Sequence, residues 1–154
     1  MKIEHINITV PNIVDTANLL TMIYPNLKKI GGWSGKTEKG QEEWAHYQDE
    51  ECYVALEQVE WITGPQRAMN DFHGVNHVGL ICHDIKAVIK KFEKNKIRYS
   101  IAEVVPERIR MYCFDKNGLD FEIVQYLTDD MMARYKYYND ADAKKGIANF
   151  LNTI

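Results

Sequence analysis

The sequence predicts an α+β protein built from two tandem copies of a βαβββ unit, followed by a helical tail. Two observations carry this. His5-Ile6-Asn7-Ile8-Thr9-Val10-Pro11-Asn12-Ile13 is echoed 72 residues later by His77-Val78-Gly79-Leu80-Ile81-Cys82-His83-Asp84-Ile85. Each copy also ends in a strand-like run holding a glutamate, Glu57 in Tyr-Val-Ala-Leu-Glu-Gln and Glu122 in Leu-Asp-Phe-Glu-Ile-Val. A repeat with one His and one Glu per copy suggests two similar halves facing each other around a shared metal.

The elements follow in order. Residues 2–10 alternate with period two, which puts Glu4, Ile6, Ile8 and Val10 on one face and Ile3, His5, Asn7 and Thr9 on the other. Pro11-Asn12 breaks this strand. Ile13, Ala17, Leu20 and Ile23 then recur at helical spacing until Pro25 stops the helix. Residues 27–33 and 42–48 read as strands joined by a loop containing Gly35 and Gly40, and 52–58 as a further strand.

Gly64-Pro65 and Gly74 mark a linker. The pattern then restarts with a strand over 75–82. Asp84 is placed to cap a helix through Lys94, with Ile85, Val88, Ile89 and Phe92 as its apolar face. Strands over 97–104 and 108–114 follow, and Asn117-Gly118 signals a two-residue hairpin into the last strand, 119–126. The predicted organisation is a first module at 1–60, a linker at 61–74, a second module at 75–127 and a tail at 128–154. Met131, Met132, Tyr135, Tyr137, Tyr138, Ile147, Phe150 and Leu151 give the tail apolar surface, suited to covering the core or to dimer packing.

Bulk properties narrow the function. With 154 residues, 45% of them hydrophobic and 27% charged, the chain has the composition of an ordinary globular domain. A net charge of −3 and scattered lysines give no footing for nucleic acid or an anionic membrane. No run approaches the roughly 18 apolar residues of a membrane span, and the N-terminus lacks the apolar stretch of a signal peptide. Cys52, Cys82 and Cys113 are odd in number and form no CxxC pair. They read as free, buried thiols in a reducing cytoplasm.

The chemistry concentrates on strand faces. His5, Glu57, His77 and Glu122 each fall on the less apolar face of a strand. Two imidazoles and two carboxylates suit one divalent ion, Zn, Ni, Co, Mn or Fe, acting as a Lewis acid on a substrate oxygen with a carboxylate as base. His46 in Trp44-Ala45-His46-Tyr47 is a candidate for the cavity wall. Arg108 and Arg110 share one strand face and could hold an anionic substrate group, or else bond to neighbouring acids. His73 and His83 read as surface residues. Trp33, Trp44, Tyr47, Tyr53 and Trp61 supply aromatic surface near the predicted cavity.

These residues resemble the vicinal oxygen chelate superfamily, the glyoxalase / bleomycin resistance / extradiol dioxygenase group. The match lies in Glu4-His5-Ile6-Asn7-Ile8-Thr9-Val10, in Asn76-His77-Val78-Gly79-Leu80, and in Phe114-Asp115-Lys116-Asn117-Gly118-Leu119-Asp120-Phe121-Glu122, and it extends to about residue 127. It implies sheets curled into an open, mixed barrel around a metal held by His5, Glu57, His77 and Glu122. That set is similar to bacterial glyoxalase I and close to methylmalonyl-CoA epimerase, which implies a lyase or isomerase acting on a small carbonyl or oxygenated substrate. Glu122 is then the first choice for base and Glu57 the second.

Thr9 stands where glutathione-dependent glyoxalase I carries an arginine, which speaks against a glutathione hemithioacetal. The alternatives are a non-catalytic sequestration protein of bleomycin-resistance type and an extradiol-type dioxygenase. Extradiol and fosfomycin-modifying members use three metal ligands, and Glu57 as a fourth argues against both. The resemblance also implies a homodimer, with the modules paired within a chain or exchanged between chains.

Overall fold

The computed structural model describes residues 4–38, 40–49, 52–59 and 75–154. It divides into two units, one holding the first repeat together with Lys116–Gly118, the other holding the second repeat and the tail.

In the first unit, β1 (His5–Val10) leads into α1 (Ile13–Ile23), then β2 (Lys28–Thr37), β3 (Gly40–Gln48) and β4 (Tyr53–Val59). The strands form one mixed sheet in the order β1-β4-β3-β2, with β1 parallel to β4 and the other pairs antiparallel. Asn12 starts α1 by accepting hydrogen bonds from Val14 N and Asp15 N at 2.8 and 3.3 Å. Ile13, Ala17, Leu20 and Ile23 are buried, as are Val10, Ala45 and Leu56 on the sheet. Burying each of the larger of these side chains contributes about 1.5–3 kcal/mol.

The sheet differs from expectation at its outer hairpin. Gly35 lies inside β2, paired with Glu42 of β3, rather than in a loop, and a Cβ there would stand 2.3 Å from the Trp33 ring. The glycine makes room for an indole folded along its own strand.

The second unit repeats the plan: β5 (Val78–Ile81), α2 (Ile85–Lys94), β6 (Tyr99–Val105), β7 (Arg108–Phe114) and β8 (Asp120–Tyr126), in the order β5-β8-β7-β6. The predicted Asp84 cap is present and accepts from Ala87 N at 3.0 Å. Ile85, Val88, Ile89 and Phe92 are buried on α2, as are Ile109, Met111, Cys113, Phe121 and Ile123 on the sheet. By strand alternation, Arg108, Arg110 and Tyr112 share the opposite face with Asp120, Glu122 and Val124. The hairpin into β8 is not the predicted two-residue turn. Only Gly118 has a positive φ (82°), whereas a type I′ turn needs it at both central residues.

The tail forms α3 (Met131–Arg134) and α4 (Asp140–Leu151). α4 packs on β6, where a Cβ at Gly146 would stand 1.8 Å from Val104 O. Phe150 is buried beneath Lys86, whose Nζ bonds Thr153 Oγ1 at 2.8 Å. Of the three thiols, Cys82 and Cys113 are buried as expected, but Cys52 is exposed. It directly precedes β4, beside the turn where its amide bonds Asp49. The expected linker at 61–74, with Trp61 and His73, lies outside the described residues.

Candidate metal centre

In the second unit, His77 and Glu122 come together. His77 Nε2 lies 3.1 Å from Glu122 Oε2, at the junction where β5 runs beside β8. Tyr112, opposite Glu122 on β7, meets the His77 ring edge-on with centroids 5.6 Å apart. Burial pushes the Tyr112 phenol above its ordinary value, and the charge and hydrogen bonding of Glu122 push it the same way. Asp120 also sits on this face. Burial raises its carboxyl pKa, His77 opposes the rise and Glu122 adds to it. Sequence reasoning passed over both residues, although period two from Glu122 selects Asp120.

Arg110 Nε lies 3.4 Å from Glu122 Oε1 and 3.5 Å from Glu103 Oε2. Arg108 behaves differently. It is 2% exposed, binds Glu103 through Nε at 2.6 Å and Nη2 at 2.9 Å, and gives Nη1 to the carbonyls of Arg134 and Lys136, each at 2.8 Å. The expectation that Arg108 grips a substrate anion is therefore corrected. Its guanidinium is spent on tying the α3 segment to the sheet.

In the first unit, His5 and Glu57 do not meet. His5 pairs in register with Tyr53, and Glu57 with Thr9. Four residues separate them, or roughly 13 Å along the strand. His5 instead stacks on Tyr53 at 4.5 Å and its Nδ1 contacts Glu4. His46 lies 5.1 Å from Tyr53 and 4.9 Å from Trp44, so the expected cavity residue belongs to an aromatic strip. Tyr47 alternates to the other face, with buried Ala45.

The internal repeat explains this difference. Asn7 pairs with Ala55 in the first unit, and its counterpart Gly79 pairs with Glu122 in the second. Gln58 accepts from Ile13 N at 2.9 Å, and Gln125 accepts from Ile85 N at 3.0 Å, so these glutamines also correspond. Both relations make Ala55 the counterpart of Glu122. Glu57, two residues further on, matches Val124. By the antiparallel registers, His46 matches Tyr112 and Trp44 matches Arg110. The placing of Glu57 as a repeat partner of Glu122 is thus corrected by two positions. One unit presents acids, arginine and histidine, whereas the other presents an aromatic strip.

No family model and no curated protein matches the sequence. Solved structures do match. A glyoxalase family protein from Bacillus cereus superposes with TM-score 0.68 at 14% identity, over 83% of this chain and 95% of that one. A glyoxylase/bleomycin resistance protein/dioxygenase domain from Frankia sp. gives TM-score 0.65 at 13% identity, over 88% and 98%. The fosfomycin resistance protein FosX from Listeria monocytogenes, complexed with Mn(II) and sulfate ion, gives 0.58 at 14%, over 88% and 98%. The chain has the vicinal oxygen chelate fold.

A vicinal oxygen chelate fold makes a divalent ion the group to test against these residues. Two ligands bonded to one such ion at about 2.0–2.2 Å stand about 3 Å apart, the spacing of His77 Nε2 and Glu122 Oε2. Glu122 Oε1 and Asp120 Oδ1 are buried without a hydrogen-bond partner among the described residues. Buried oxygens of that kind are normally satisfied, and a cation is one way to satisfy them. His77 and Glu122 thus supply two donors at the spacing of a divalent ion's ligands. Among the described residues, no three His, Cys, Asp or Glu side chains gather in one place.

Proposed function

We propose that the chain is a divalent-metal enzyme of vicinal oxygen chelate type, acting on a small, oxygen-rich, anionic substrate, with His77 and Glu122 among the protein ligands. The observation that carries this is the His77–Glu122 pair at 3.1 Å, with one carboxylate oxygen buried and unbonded. In the repeat His5 is the counterpart of His77, and Ala55 that of Glu122. FosX binds Mn(II), which makes a divalent ion reasonable on this fold.

A bound divalent ion supplies Lewis-acid polarisation of a substrate oxygen. The chain's own residues do the rest. His77 and Glu122 hold their places through the β5–β8 register. Arg110, whose side chain is 36% exposed, directs the substrate's anionic group. Glu122 is the first candidate for proton transfer and Glu57 the second. This is the lyase or isomerase reading.

A second reading gains from Ala55. A centre with few protein ligands and open positions also suits an iron-dependent oxygenase. Oxygen uptake by the Fe(II)-loaded protein with a catechol would select it over isomerisation. We extend the proposal to a homodimer, which a single-chain mass in sedimentation at micromolar concentration would count against.

The direct test is metal analysis of protein purified without chelator or affinity tag. About one divalent ion per chain, lost in His77→Ala, supports the proposal. Absence of metal together with no uptake of added Mn, Zn or Ni would transfer the case to sequestration of a small ligand on the aromatic strip.

A further inference from the structure

Arg110 is held in an unusual way. It lies on β7 between Glu103 on β6 and Glu122 on β8, with its Nε 3.5 and 3.4 Å from their carboxylate oxygens. Both Arg110 Nε and Glu122 Oε1 are buried, and neither has a hydrogen-bond partner among the described residues. The contact is one of charge without hydrogen-bond geometry.

Arg108 holds both oxygens of Glu103, at 2.6 and 2.9 Å, while Arg110 stands off at 3.5 Å. Arg108 is itself fixed by two backbone carbonyls at 2.8 Å. Arg110 is thus a partly exposed guanidinium between two carboxylates, bound well by neither. A guanidinium satisfies its fork best against an oxyanion that it can grip with two parallel N–H donors.

We propose that Arg110 is a movable counter-ion: it competes with the divalent ion for Glu122, and an oxyanion that draws it away raises the chain's affinity for the metal. This rests on the metal reading above and adds to it a coupling between metal and anion. Because Arg110 and the ion compete for one carboxylate, loss of the arginine charge tightens metal binding. An anion gripped by Arg110 produces the same release. By linkage the metal must tighten anion binding by the same factor. The substrate class that exploits this carries a carboxylate, phosphonate, phosphate or sulfate group beside the oxygen that meets the metal. Metal and substrate would then assemble together.

The test is calorimetric titration of Mn²⁺ into metal-free protein, in sodium sulfate and in sodium chloride of equal ionic strength. It is made for the wild type, for Arg110→Met and for Arg110→Gln, with folding of each checked by circular dichroism. In the wild type, sulfate is expected to tighten Mn²⁺ binding about fivefold or more, within the usual range of such couplings. Both variants are expected to bind Mn²⁺ more tightly than wild type in chloride and to lose the sulfate effect. Equal sulfate effects in all three proteins would overturn the proposal, since the anion would then act without Arg110. Variants that bind Mn²⁺ no more tightly than wild type in chloride would also overturn it. Absence of Mn²⁺ binding in all three is a different failure, because it removes the metal reading itself and the coupling with it.

Discussion

His77 Nε2 lies 3.1 Å from Glu122 Oε2, while the corresponding places in the first unit hold His5 and Ala55. The repeat has kept its scaffold and divided its chemistry. Counterparts Gln58 and Gln125 cap helices identically, whereas Tyr53, His46 and Trp44 replace Asp120, Tyr112 and Arg110. One face pattern thus carries an aromatic strip in the first unit and a histidine, acids and an arginine in the second.

Arg108 anchors the tail, and its removal should be costly. Arg108→Ala leaves Glu103 without its bidentate partner and strips a donor from two carbonyls. Breaking a buried pair from one side costs about 3–5 kcal/mol. Urea denaturation should register a loss of that size, and a loss under about 1 kcal/mol would mean that water replaces the guanidinium without penalty.

Gly146 is predicted to resist the substitution that helix propensity favours. Alanine is better than glycine in a helix by about 1 kcal/mol. Here, however, its Cβ would press on Val104 O at 1.8 Å, so α4 must lift from β6. Overpacking typically costs about 1–3 kcal/mol. Gly146→Ala should therefore lower the melting temperature, and an increase would show that α4 shifts freely.

The thiols should separate cleanly. Burial pushes Cys82 up to about 11 and Cys113 up to about 12, with nearby aspartates adding to both. A raised pKa keeps the thiol protonated up to higher pH, so at pH 8 roughly one Cys82 in a thousand is thiolate, and fewer of Cys113. Cys52 is exposed. A thiol reagent at pH 8 should label one cysteine in the native protein and three in denaturant. Rapid native labelling of two or three would contradict the buried positions.

Much of the fold was legible because period two and period 3.6 are local signals. The two βαβββ orders, the Asp84 cap and the apolar face Ile85, Val88, Ile89 and Phe92 all follow from spacing. The outer hairpin was not, since Gly35 resembles a loop residue until the Trp33 ring above it is seen. Of the expected site residues, His77 and Glu122 are found together, and the repeat register makes Ala55, not Glu57, the counterpart of Glu122. A shift of two residues preserves the strand face, so alternation cannot detect it. Only the parallel register and the Gln58 cap reveal it. Likewise, adjacent arginines of one face look alike in sequence, and only their partners distinguish the tail anchor Arg108 from the open Arg110.

The central claim is that the carboxylate ligand is Glu122 and that Glu57 lies outside the ligand set. Mn²⁺ affinity measured by titration for wild type, Glu122→Gln and Glu57→Gln tests it directly. The account predicts a loss of at least about tenfold for Glu122→Gln and a change within about twofold for Glu57→Gln. Equal, large losses in both variants would contradict it and restore a four-ligand set.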